Sequence, residues 1–238
     1  MDGVIVLYRA TNQATGNAMT QPRIALIHAV AVAMDPVAAA FRQLWPEAQC
    51  TSLLDDSLSA DRERDGELTD AMRQRIGTLA DYVLSTGADA ILYTCSAFGE
   101  AIEQVAERLS VPVLKPNEAM FEAALEAGSN IGMLATFGPS VAGMEQEFYE
   151  LARQRGLSDA RITTICVPEA MAALRTGDAD THNRLLAEAA PGLAGCDAVL
   201  LAHFSTSRAE AAVRAAISVP VHTSPAAAVA KLKLALGK

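Results

Sequence analysis

Two stretches of this chain are near-copies of each other. "DAILYTCSAFGEAIEQVAERLSVPVLKP" begins at Asp89, and "DAVLLAHFSTSRAEAAVRAAISVPVHTS" begins at Asp197. Asp89 aligns with Asp197, Cys95 with His203 and Pro112 with Pro220, each pair 108 residues apart and with no gap. An internal repeat constrains a fold more than composition does, because whatever unit one copy forms the other must form too. Each copy holds a run rich in Val, Ile and Leu, then an amphipathic Ala/Glu/Arg stretch, then a Val-Pro-Val run. Apolar runs buried on both faces and alternating with helices specify parallel strands joined by right-handed crossovers.

The alternation extends well beyond the copies. "RIALIHAV" and "NIGMLAT" serve as opening strands, and "AQCTSLL" and "RITTICV" follow them in equivalent places. The expected fold is α/β: two similar lobes, each a parallel sheet flanked by helices, related by a pseudo-two-fold axis. Residues 19–117 plus 224–238 are assigned to lobe 1 and residues 118–223 to lobe 2. Residues 1–18 read as a loosely ordered extension, with an edge strand at "VIVLY" as the alternative.

Composition narrows the function classes. The chain is 51% hydrophobic and 20% charged, enough apolar material for one sizeable core or two small ones. Its net charge is −9 and no Lys/Arg run stands out, so a nucleic-acid partner has no electrostatic footprint. Cys50, Cys95, Cys166 and Cys196 form no CxxC pair and no zinc spacing, and no disulfide framework is expected. The apolar runs carry too many polar residues to span a bilayer. The expectation is a soluble cytoplasmic protein with no membrane partner and no bound metal. Neither GxGxxG nor GxxxxGK[ST] occurs, which removes support for a dinucleotide or P-loop nucleotide site.

Open parallel sheets bind ligands outside the carboxyl ends of their strands. Cys95 and His203 sit at such ends in equivalent strands, so two lobes facing each other would aim them into one cleft from opposite sides. A thiolate is a base and a nucleophile, and the helix starting near Phe98–Gly99 favours negative charge in front of it. Ser96 and Ala97 offer backbone amides there, suited to a substrate carboxylate. His203 can donate or accept a proton near neutral pH. The plainer alternatives are a packed structural cysteine and a histidine packed between lobes. His28 ends the first strand and reaches the same region. Asn117 and Ser140 read first as helix caps. Asn117 and Thr136 can also donate hydrogen bonds to a small acid, and Ser205 and Thr206 can bind a second anionic group. His182 and His222 read as structural, and "DDSLSADRERDGELT" as a polar surface loop or a lid.

"DAILYTCSAFG", "VPVL", "NIGMLAT" and "DAVLLAHFS" together resemble the Asp/Glu racemase superfamily, which includes aspartate, glutamate and hydantoin racemases, maleate isomerase and arylmalonate decarboxylase. The resemblance runs from about Arg23 to the C-terminus. It implies two α/β lobes, a site between them, no cofactor, a small carboxylate-bearing substrate and a possible homodimer. In the racemases two cysteines, one per lobe, flank the substrate α-carbon, and Cys95 matches the first. Ser96 and Thr136 match positions that bind substrate. The chain departs at the second cysteine, where it has His203; Cys196 lies seven residues too early. The resulting expectation is a cofactor-independent racemase or isomerase with Cys95 as base or nucleophile and His203 as its partner. The alternatives are a decarboxylase-like lyase with Cys95 as proton donor, and a non-catalytic small-acid-binding protein.

Overall fold

The computed structural model describes residues 21–238. The extension expected over residues 1–18, with its "VIVLY" run, lies outside the described residues. The first sheet contains β1 (Arg23–His28), β2 (Gln49–Leu54), β3 (Ala90–Tyr93) and β4 (Val113–Leu114), in the order β2-β1-β3-β4. The second contains β5 (Asn130–Ala135), β6 (Arg161–Cys166), β7 (Ala198–Leu201) and β8 (Val221–Thr223), in the order β6-β5-β7-β8. All strand pairs are parallel. The two-lobed α/β fold expected from the repeat is the fold observed.

The duplication extends to individual hydrogen bonds. Asp89 Oδ2 accepts the Arg23 backbone N–H at 2.7 Å, and Asp197 Oδ2 accepts that of Asn130 at 2.8 Å. Each aspartate therefore ties the start of the opening strand to the start of its neighbour. The backbone of each also donates, to the Arg23 and Asn130 carbonyls. The Pro112 and Pro220 carbonyls accept from Ile91 and Val199, at 2.9 and 2.8 Å. At the far end, Thr94 N–H donates to the Ile27 carbonyl and Ala202 N–H to that of Leu134. Gly128 is sterically required at its position, because a Cβ there would collide with the Asp197 side chain.

Side chains on the central strands alternate between two packed faces, as the two-residue period demands. Ile24, Leu26, Ala90 and Leu92 face α1 (Met34–Leu44) and α10 (Ser224–Ala235), through Val37, Phe41, Val229 and Leu232. Ala25, Ile27, Ile91 and Tyr93 face α3 (Asp70–Ser85) and α4 (Gly99–Arg108). In the second sheet, Ile131, Met133 and Leu200 face α5 (Glu118–Ala127) and α6 (Val141–Gln154). Leu134, Val199 and Leu201 face α7 (Pro168–Arg175), α8 (Ala179–Ala189) and α9 (Glu210–Ala216). The helix that leaves β4 thus covers the second sheet, and α10, which leaves β8, covers the first. The two crossing helices also pack on each other.

One expectation is corrected. "DDSLSADRERDGELT" holds a helix, α2 (Ser57–Asp65), ending at Gly66 with a left-handed φ of 71°. It has no apolar stripe, and Leu58 alone anchors it in the core. Ion pairs do the rest: Arg75 of α3 grips Asp55 and Asp61 from the other side of the turn. Among the described residues no helix is long and apolar enough to cross a membrane.

Candidate active site

Cys95 and His203 stand one residue beyond the last shared hydrogen bond of β3 and β7. The chain stays extended at Cys95 (φ −125°, ψ 124°) before the 3₁₀ turn Ser96–Phe98. At His203 it turns left-handed, with φ of 71°, before the 3₁₀ segment Ser205–Ala209. A left-handed non-glycine residue costs about 1–2 kcal/mol, and such strain concentrates at functional sites. Phe204, the next residue, is buried with Ile24, Leu26 and Phe41 in the core of the first lobe. The His203 exit is therefore anchored against the opposite lobe.

The Cys95 thiol is held from two sides. The Ala97 backbone N–H and the Ser59 side chain both hydrogen-bond with it, and both lower its pKa. Burial outweighs them, so the thiol titrates above its ordinary value and is protonated at rest. Ser59 lies on α2, and its hydroxyl donates to the Ala29 carbonyl at 3.1 Å. That hydroxyl has one proton, so turning it toward a thiolate costs the Ala29 bond. Arg62, one turn further along α2, donates to the Ala97 carbonyl at 3.4 Å. The segment expected to be a loop or lid thus supplies two residues to the Cys95 turn. Sequence reasoning did not single them out.

Burial pushes His203 down to about 4, so its imidazole is neutral at physiological pH. Its Nε2 lies 3.3 Å from Ser140 Oγ, and that hydroxyl donates to the Phe137 carbonyl at 2.9 Å. Ser140 makes no side-chain capping bond to α6; its place is beside the histidine. Thr136, just beyond β5, is buried, and its hydroxyl has no hydrogen-bond partner. The Thr206 hydroxyl is likewise buried without a partner. Ser205 is buried, Ser96 half-buried and Ala97 exposed.

Two residues expected to touch substrate are committed elsewhere in this structure. His28 is fully buried, with Nδ1 2.9 Å from Thr94 Oγ1 and Nε2 3.2 Å from Ser52 Oγ. Both ring nitrogens are occupied, and burial lowers its pKa to about 4. It braces Thr94, the residue before Cys95. Asn117 sits at the N-cap position of α5 but does not cap with its side chain. Its amide donates to Glu147 Oε2 of α6 at 3.2 Å, and Lys115 Nζ lies 3.4 Å from the same carboxylate. Burial raises the Glu147 pKa, opposed first by the charge of Lys115. The loop after β4 is thereby fastened to the second lobe.

The remaining cysteines stand apart from this pair. Cys196 precedes the amino end of β7, beside the Gly132 position of β5. Cys50 pairs with Ile24 at the amino end of β1. Cys166 ends β6, with β5 between it and β7, and is exposed. Among the described residues no group of three or more His, Cys, Asp or Glu side chains can hold a metal ion.

A pseudo-symmetric pair of parallel sheets with a thiol and an imidazole at matching strand exits defines a class of protein, and comparison with known families agrees. The Asp/Glu/Hydantoin racemase family model matches residues 24–160, and the chain belongs to that family. Solved structures share the fold over most of the chain. The aspartate racemase of Picrophilus torridus superposes with a TM-score of 0.69 at 17% identity, over 91% of this chain and 95% of that one. Glutamate racemase RacE1 of Bacillus anthracis gives 0.65 at 15% identity, over 91% and 82%. Allantoin racemase of Klebsiella pneumoniae gives 0.61 at 15%, over 91% and 89%. No curated protein matches the chain significantly.

Proposed function

We propose that this chain is a cofactor-independent racemase or isomerase of small carboxylate-bearing substrates, working through Cys95 and His203. One observation carries the reading: the two side chains occupy the same position of a duplicated unit, at the carboxyl ends of β3 and β7. Family membership supports the reaction class. The ionisation states support the pairing, since a protonated thiol and a neutral imidazole are one acid and one base.

In the proposed step the substrate α-C–H bond breaks and its proton passes to the imidazole of His203. The thiol of Cys95 then gives its proton to the opposite face of the carbanion. The products are the inverted substrate, an imidazolium and a thiolate. The opposite enantiomer uses the charged pair and returns the neutral one. The Ala97 N–H and Ser59 stabilise the thiolate as it forms. The Ser96 amide and the Thr136 hydroxyl receive the substrate carboxylate. His28 and Ser140 position the two working groups.

A second reading, a lyase, is favoured by the single thiol at the two exits. There Cys95 protonates the carbanion left by decarboxylation, and His203 orients the acid. A screen over amino acids, hydantoins, maleate-like diacids and substituted malonates separates the two, with Cys95→Ala as control. Inversion without release of carbon dioxide, lost in the variant, is the result expected. Carbon dioxide release from malonates alone favours the lyase. Turnover unaffected by Cys95→Ala contradicts both.

A further inference from the structure

The first lobe spans the start of α3 with an ion pair, Arg73 to Glu100, at 2.8 Å. The repeat carries Glu100 onto Arg208. Helices α3 and α8 begin alike, with Thr69 accepting from the Met72 N–H and Asp178 from that of Thr181. His182 consequently takes the place of Arg73. An acid facing a base in one lobe has become two basic side chains in the other. The carboxylate nearest Arg208 is Asp35 at 3.7 Å, and that side chain is 90% exposed.

The packing changes in the same place. Phe98, which fills the first core, corresponds to Thr206. Helix α8 packs directly on the Ser205–Ala209 segment, which carries Thr206 and Arg208, and the charge of Arg208 reaches the His182 ring. His182 and Thr206 are both 0% exposed, and His182 Nε2 and Thr206 Oγ1 have no hydrogen-bond partner. The other ring nitrogen of His182 is engaged by Asn183 Oδ1 at 2.9 Å, so Nε2 is left for a ligand. A buried polar group that nothing meets loses its hydrogen bonds to water without replacement, and here there are two. The positive potential of Arg208 specifies what meets them.

We infer that His182, Thr206 and Arg208 form a binding site for a small oxyanion in the second lobe. The Thr206 hydroxyl and the Arg208 guanidinium donate to the anion. His182 Nε2 accepts from its acidic O–H, or donates once protonated. The anion can be free in solution, or it can be the second acid group of a substrate held in the cleft.

Imidazole NMR tests this without any assay of turnover, so its outcome is separable from that of the proposed reaction. The protein has four histidines, and His182→Gln assigns the signal. Titration with inorganic phosphate at constant ionic strength should move the His182 resonance saturably, with half-saturation below about 10 mM. Thr206→Val and Arg208→Gln, checked for an intact fold by thermal melting, should each weaken binding about tenfold or more. A linear drift matching that of added chloride, or equal affinity in both variants, overturns the proposal. Once a substrate is in hand, competitive inhibition by phosphate assigns the site to that substrate's second acid group. Phosphate binding that leaves KM unchanged assigns it to a free anion; the site stands in either case.

Discussion

The Cys95 and His203 exits share their scaffold down to single hydrogen bonds and differ from the next residue onward. Asp89 and Asp197 tie the strand starts in the same way, and Thr94 and Ala202 close the ladders in the same way. Beyond that point one exit is extended and carries a thiol held by α2. The other is left-handed and carries an imidazole beside Ser140. The duplicated parts are those that hold a sheet together, and the divergent parts are those to which the proposed chemistry is assigned. Burial then drives the pair toward complementary states: it keeps the thiol protonated and the imidazole neutral. A two-thiol site would need one of two like groups to lose its proton; here the two residue types differ from the outset.

The comparison breaks most visibly in activity. Cys95→Ala should lower kcat by about 10³-fold or more with the fold intact, as expected for loss of a reacting group. His203→Asn should lower it by roughly 10²–10⁴-fold, because asparagine accepts the left-handed backbone but cannot move the proton. Steady-state kinetics beside circular dichroism checks both. A His203→Asn enzyme within a fewfold of wild type would reduce the histidine to packing.

A pH series probes the burial common to both exits. His28 and His203 take up a proton near 6.5 when unfolded and near 4 when folded. The unfolded chain then binds more protons between those values, so stability is full above pH 6.5 and falls as pH drops toward 4. For the fully buried His28 the loss amounts to roughly 3 kcal/mol. Urea unfolding at stepped pH should show this slope, and His28→Asn should make it shallower. A stability that rises on acidification through this window contradicts the burial of these rings.

Smaller effects test whether the scaffold is truly duplicated. Gly128→Ala forces a Cβ onto Asp197 and should cost about 1–3 kcal/mol, the price of overpacking. Asp89→Ala and Asp197→Ala should each cost about 1–2 kcal/mol, and equally, since each removes the same strand-start bond. Denaturant midpoints that differ widely between the two would show that one lobe leans on its aspartate more than the other.

What could be read from the sequence follows this division. The gapless repeat made the sheets, their parallel sense and the two exits legible, because a duplicated buried strand is visible in residue order alone. The aspartates drew notice by register, while their function as clamps needed the Arg23 and Asn130 amides. Ser59 and Arg62 escaped notice because α2 lacks a helical apolar stripe and is anchored by Leu58 and ion pairs. The commitment of His28 is not visible in residue order, because its partners, Ser52 and Thr94, stand 24 and 66 residues away. At Asn117 the sequence allows a cap or a substrate contact, whereas in the structure its amide goes to Glu147, 30 residues away. The left-handed turn at His203 leaves no local signal, since no glycine marks it.

The central claim is that Cys95 and His203 exchange protons with one substrate carbon from opposite faces. Solvent deuterium wash-in tests it most directly, using a substrate that the screen identifies and analysing both enantiomers. Wild type should place deuterium in the inverted product from either starting enantiomer. Cys95→Ala and His203→Asn should abolish inversion, while each retains slow exchange of only one enantiomer, and the two variants should retain opposite ones. Inversion without deuterium incorporation, or exchange of the same enantiomer in both variants, would contradict it.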